Sequence, residues 1–146
     1  MRENEHGFLQ QVRRNAVALI SLVIAITSLG YNTWRNEQTE ANRNQRQSAF
    51  EILLKLGELQ QVVFHSHYDR DIVDKGNPRT GWAHVLLVND LAGVLNSPMP
   101  ELTDQLQTVW GQHWDALGTD EASVAAIQAE IDMVRAETVR QLHLLE

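Results

Sequence analysis

His65-Ser66-His67-Tyr68-Asp69-Arg70-Asp71 places two imidazoles, two carboxylates and two hydroxyls within seven residues. Zinc takes imidazole and carboxylate ligands, three or four of them converging on a tetrahedron. His65, His67 and Asp69 are therefore candidate metal ligands. On a helix, side chains two apart point away from each other, whereas those four apart are neighbours. Helical geometry thus pairs His65 with Asp69 and His67 with Asp71, and leaves a third ligand to come from elsewhere, with His84 and Asp90 the obvious sources. The plainer expectation is a structural helix end. Protonated imidazoles suit a helix C-terminus, and Arg70 and Arg79 stand nearby in sequence to pair with the aspartates.

A second cluster is Trp110-Gly111-Gln112-His113-Trp114. With Trp82 and His84, residues Trp110, His113 and Trp114 are candidates for a small-ligand pocket. Indole rings bury large areas and keep an N–H as a polar handle. Aromatic residues at helical spacing more commonly form a core layer, and that is the competing expectation. A third feature is the loop 69–81, whose charges alternate in sign beside Gly76, Pro78 and Gly81. Arg70, Lys75 and Arg79 are candidate partner contacts there, against the simpler reading of a solvated connection. His-x-His-x-Asp also resembles the metal motif of metallo-β-lactamase-fold hydrolases. That motif follows a strand and continues with a further histidine, where this chain has an amphipathic helix and Arg70. The likeness spans five residues and is set aside. No phosphate-binding glycine loop, nucleophile elbow or Glu-x-x-His pair is present. Neither an enzyme activity nor a cofactor is expected.

Charge narrows the partners. The 146-residue chain carries a formal net charge of −7. Its first 34 residues are net +1, and residues 99–146 hold nine acids against Arg135 and Arg140. An acidic domain repels phosphate backbones, so nucleic acid is not an expected partner. Cysteine is absent, which excludes disulfides, thiolate metal sites and a cysteine nucleophile.

These residues need elements to position them. Ala16 to Leu29 is free of charge, and the run extends through Tyr31 to Trp34. Nineteen helical residues span about 28 Å, close to a hydrocarbon core. Arg13 and Arg14 flank one end, and Tyr31, Trp34 and Arg35 the other, as in an interfacial belt. The pattern predicts an N-terminal tail over 1–14, an uncleaved transmembrane anchor over 15–34 and a polar helical stalk over 35–48. The adjacent Arg13-Arg14 pair favours a cytoplasmic N-terminus. A bacterial inner-membrane protein with a periplasmic domain is then expected, although Arg35, Arg43 and Arg46 argue for the opposite sidedness.

From residue 49 onward, apolar residues recur at spacings of three and four. Ala49, Ile52, Leu53, Leu56, Leu59 and Val63 make one face, widened by Phe50, Leu54, Val62 and Phe64. Trp82, Val85, Leu86, Leu91, Val94 and Leu95 make a second. Leu102, Leu106, Val109, Trp110 and Leu117 make a third, after Ser97-Pro98-Met99-Pro100. The fourth follows an N-cap at Thr119 or Asp120 and includes Val124, Ile127, Ile131, Val134, Leu142 and Leu145. The expected fold is all-α: a single transmembrane helix continuing into a stalk, then an antiparallel bundle of about four helices over 49–146. The expected function is a membrane-anchored interaction module, either an accessory subunit of a membrane complex or a homo-oligomer. Its partners would be the lipid bilayer and a membrane protein or its own copies. The alternatives are a small-ligand sensor acting through its anchor and a metal-dependent hydrolase.

Overall fold

A computed structural model describes the backbone of residues 3–145 and the side chains of residues 11 and 13–145. It is all-helical among the described residues, with α1 at Glu3–His67, α2 at Pro78–Ala92, α3 at Met99–His113 and α4 at Glu121–Leu144. The first proline of the chain is Pro78, so nothing removes a backbone donor from α1 before that point. The chain divides into two compact units, Met1–Ala41 and Asn42–Glu146.

In the first unit, α1 is one helix long and apolar enough to cross a membrane. Its apolar side chains are uncovered: Val17, Leu22, Val23, Ile26 and Leu29 are all exposed. The two threonine hydroxyls within this stretch turn back on the helix. Thr27 donates to the Val23 carbonyl at 2.8 Å and Thr33 to that of Leu29 at 3.0 Å. Each hydroxyl donor is thereby satisfied without water. Tyr31 and Trp34 lie side by side, with ring centroids 6.1 Å apart.

The second unit is a bundle made from the C-terminal part of α1 with α2, α3 and α4. Cross-links fix the directions. Glu58 meets His84 and Gln60 meets Arg135. Gly81 lies against Trp110, and His113 reaches Ser123. Met99 meets Thr138. Numbers rising on one helix meet numbers falling on the next, so consecutive helices run antiparallel. The core contains Ile52, Leu56, Leu59, Val85, Leu106 and Ile131, all fully buried. Local signals set the helix starts. Asn77 accepts from the Arg79 N–H with Pro78 at the first position of α2. Asp120 accepts from the N–H groups of Ala122 and Ser123 and caps α4.

Three expected faces need correction. On α1, Phe50 and Leu54 are 59% and 63% exposed and Phe64 is also outside, so the stripe buried in the bundle is narrower than its apolar content. In the second face, Leu86 on α2 and Val94 in the turn after it are exposed, while Gly81, Val85, Val88 and Ala92 face inward. The tight approach of Gly81 to the Trp110 ring turns the helix to that face. On α4, the face ends on Thr138 and Gln141, both buried. Gln141 donates to the Asn96 carbonyl and accepts from the Asn96 N–H, satisfying a polar group that apolar periodicity passes over. The third helix also stops at His113, and Leu117 is buried from a turn beyond it.

The polar segment 35–48 is shared between the units. Residues 42–48 belong with the bundle, where Arg46 donates to the Leu145 carbonyl and Ser48 is buried.

Candidate functional site

Helix α1 ends inside the histidine-rich stretch. Arg70 adopts the left-handed conformation, with φ of 53°. The chain then reverses, and the Asp71 N–H returns to the His65 carbonyl at 3.0 Å. The Asp71 carboxylate organises the loop leading to α2, accepting from the backbone N–H groups of Val73, Asp74 and Lys75. Those donors, led by that of Asp74, hold the Asp71 carboxyl below the usual aspartate range. Gly76 closes the turn against the helix end. A Cβ there would lie 2.2 Å from the Asp71 carbonyl oxygen and 2.3 Å from the Ser66 nitrogen, so only glycine fits.

The two histidines diverge. His65 Nδ1 lies 2.6 Å from Asp69 Oδ2, the expected i,i+4 pair. His67 Nδ1 lies 3.0 Å from the Leu117 carbonyl, to which it donates in the matching tautomer. Asp71 is committed to the loop and does not pair with His67. Among the described residues no three His, Asp or Glu side chains group as a metal site. His84 is committed elsewhere, with Nδ1 3.2 Å from Glu58 Oε2. The expected pairing of the aspartates with Arg70 and Arg79 is absent from the ion pairs among the described residues.

The tryptophans do come together. Trp82 and Trp114 meet edge to face, with centroids 6.4 Å apart, and Trp110 is wholly buried beneath Gly81. Trp110 fills the core, and its Nε1 has no partner among the described residues. His113 and His84 leave this cluster: His113 meets Ser123 at 2.9 Å and His84 turns toward α1. Of the five candidate pocket residues, Trp114 and His84 line different grooves.

Open grooves flank the helix end, and two of them hold candidate residues from the loop and from α2 or the end of α3. One, of about 500 Å³, is lined by Ser66, Ile72, Arg79, Trp114, Asp115 and Thr119. Ser66 is fully buried and its hydroxyl has no partner among the described residues. The other, of about 360 Å³, is lined by Glu58, Val62, His65, Lys75, Thr80 and His84. Burial holds the His84 imidazole below its ordinary value of 6.5, against the opposing pull of the Glu58 carboxylate. The three candidate contact cations are thus dispersed. Arg79 and Lys75 line different grooves, and Arg70 stands exposed at the reversal.

Sequence reasoning does not single out Ser66, Gly76 or Glu58, nor the loop-capping role of Asp71. Asp71 carries a readable signal, an aspartate followed by a loop whose backbone donors it can cap. The roles of Ser66 and Gly76 depend on how closely the loop folds back, which spacing does not encode. Comparison with protein-family models, with curated proteins and with solved structures finds no match for this chain.

Proposed function

We propose that this protein is a membrane-anchored helical interaction module, an accessory or assembly subunit of a membrane complex or a homo-oligomer. One observation carries the reading. Helix α1 offers an uncovered apolar surface, long enough to cross a membrane, in its N-terminal part and is built into a bundle in its C-terminal part. In water such a surface would be strongly unfavourable, whereas in a bilayer it is solvated by lipid. The aromatic pair Tyr31 and Trp34 matches an interfacial belt, and the returned threonine hydroxyls suit an apolar surround. Three histidines of the bundle are taken up in hydrogen-bonded contacts, His65 with Asp69, His67 with the Leu117 carbonyl and His113 with Ser123.

The adjacent Arg13-Arg14 pair supports a cytoplasmic N-terminus in a bacterial inner membrane, with the bundle in the periplasm. Alkaline extraction of membranes tests the anchor: the chain stays in the pellet if it spans, and release into the supernatant overturns the reading. C-terminal fusions to a periplasm-dependent and a cytoplasm-dependent reporter test sidedness, with only the former expected to be active.

The groove at Ser66, Arg79 and Trp114 favours a second reading, a small-ligand sensor. It is lined by the cation of Arg79, the indole of Trp114 and Ser66, whose buried hydroxyl has no partner among the described residues. A ligand there would alter Trp114 fluorescence, and Arg79→Gln would remove that response.

A further inference from the structure

Within the second unit, α1 carries two apolar faces. One, including Ile52, Leu56, Leu59 and Val63, is buried in the bundle. The other runs through Phe50, Leu54, Gly57, the polar Gln61 and Phe64 to Tyr68, the residue after the last of the helix, at alternating spacings of four and three. That alternation is the seam pattern of a coiled coil. On a straight helix these six positions lie within about 40° of one line, at 3.6 residues per turn. Most of the stripe is exposed: Phe50 is 59%, Leu54 63% and Tyr68 70% exposed, Phe64 is 39% exposed and Gly57 is half-buried. A Cβ at Gly57 would meet nothing within 4 Å.

We propose that a second copy of this chain covers the stripe, the two α1 helices lying parallel as a two-stranded coiled coil over residues 46–68. The parallel direction rests on the membrane-anchor reading, because two copies inserted with the same sidedness enter one bilayer the same way. Charge favours a copy over a different protein. In a parallel pair, the residue just before the seam on one helix faces the residue five further along its partner, the g and e positions. Here these are Arg46 and Glu51, of opposite sign, and the two-fold axis repeats the pair. Glu51 makes no ion pair among the described residues, and Arg46 uses one N–H on the Leu145 carbonyl and keeps others.

The seam's polar positions are also self-complementary. Gln61 facing its own copy both donates and accepts, so the two amides satisfy each other. Gly57 allows the helix backbones to approach closely. His65 and Asp69 rim the seam beside Gln61, Phe64 and Tyr68. Counted along the sequence of the first unit, the same sevens fall on Leu19, Leu22, Ile26 and Leu29, each more than half exposed, and then on the polar Thr33, Asn36 and Glu40.

The chain has no cysteine, so single-cysteine variants report proximity without background. In the membrane fraction of cells expressing the full chain, Gly57→Cys and Gln61→Cys form disulfide-linked dimers on mild oxidation. Ala125→Cys, exposed on α4, does not. The double variant Leu54→Glu, Phe64→Glu loses the dimer in native mass spectra of the detergent-solubilised chain. Both positions are exposed, so its helical circular dichroism stays unchanged. Linkage at 57 and 61 no greater than at 125 overturns the proposal, as does linkage only to a different protein. Neither result touches the anchor. Release of the chain by alkaline extraction removes the anchor reading alone, and dimers cross-linked at 57 and 61 in that soluble fraction still support the seam.

Discussion

Arg70 is the one described residue other than glycine in the left-handed region, and it sits where α1 must stop. A Cβ in that region costs about 1 kcal/mol, which glycine avoids. Arg70→Gly is therefore expected to raise the melting temperature or leave it unchanged, and Arg70→Val to lower it. Gly76 is the converse case. Its Cβ would strike three backbone atoms, His65 C and Ser66 N in the helix end and Asp71 O in the loop, and backbone cannot rotate away as a side chain can. Gly76→Ala should cost about 1–3 kcal/mol in denaturant unfolding, in the range of overpacked cores. An unchanged midpoint would mean that the loop does not fold onto α1. His84 sets a pH dependence of definite sign. Burial lowers its folded value below 6.5, with Lys55 acting the same way and Glu58 opposing. Near pH 6.5 and below, the unfolded chain binds this proton more readily than the folded one. The stabilising contribution is complete above about 6.5 and is lost as pH falls. Melting temperatures of the chain and of His84→Gln should converge as pH falls through that window, and a gap independent of pH would contradict this assignment.

Among the helices, α4 depends most plainly on its first residues. Asp120 accepts from two backbone N–H groups and from the Ser123 hydroxyl, whose oxygen in turn meets His113. Asp120→Ala should cost about 1 kcal/mol from the lost cap. Asp120→Asn, which keeps an accepting oxygen, should recover most of it in the same unfolding experiment. The end of α1 is predicted to be robust to loss of its imidazoles. His65 is partly exposed, and an exposed or partly exposed ion pair contributes roughly 0–1 kcal/mol. His67 makes one hydrogen bond to Leu117, worth about 1 kcal/mol. Replacing both by glutamine, which retains a donor, should therefore shift the midpoint only slightly. Elemental analysis offers an independent check: about one transition metal per chain, lost in the double variant, would show that the stretch binds metal after all.

For the whole molecule, the decisive contrast is between the two ways α1 uses its apolar residues. Ile131 is fully buried among the helices, and an aspartate there would be an uncompensated charge in the core. Ile131→Asp in the detergent-solubilised full chain should abolish the cooperative melt of the bundle. It should leave membrane retention intact, because the first unit does not contribute to that core. Retention lost together with the melt would mean that insertion depends on the folded bundle.

Helix type, helix number and the apolar membrane-length segment were legible from sequence because they arise from local facts. Uninterrupted apolar length, three-and-four periodicity, the prolines at Pro78 and Pro100 and the cap at Asp120 each act within a few residues. The pairing of His65 with Asp69 was legible for the same reason, being fixed by one helical turn. Which apolar residues lie inside was decided by tertiary structure. Ile52 and Leu54, or Val85 and Leu86, are similar in hydrophobicity, and only the neighbours' shapes choose between them. Gly81 under the Trp110 ring makes that choice for α2, and the closed core leaves Phe50 and Leu54 outside on α1. The fate of the candidate site residues was decided in the same way. His67 finds a carbonyl 50 positions away, His84 turns to Glu58 and the indoles pack without them, because a buried polar group takes whichever partner the packing brings within reach.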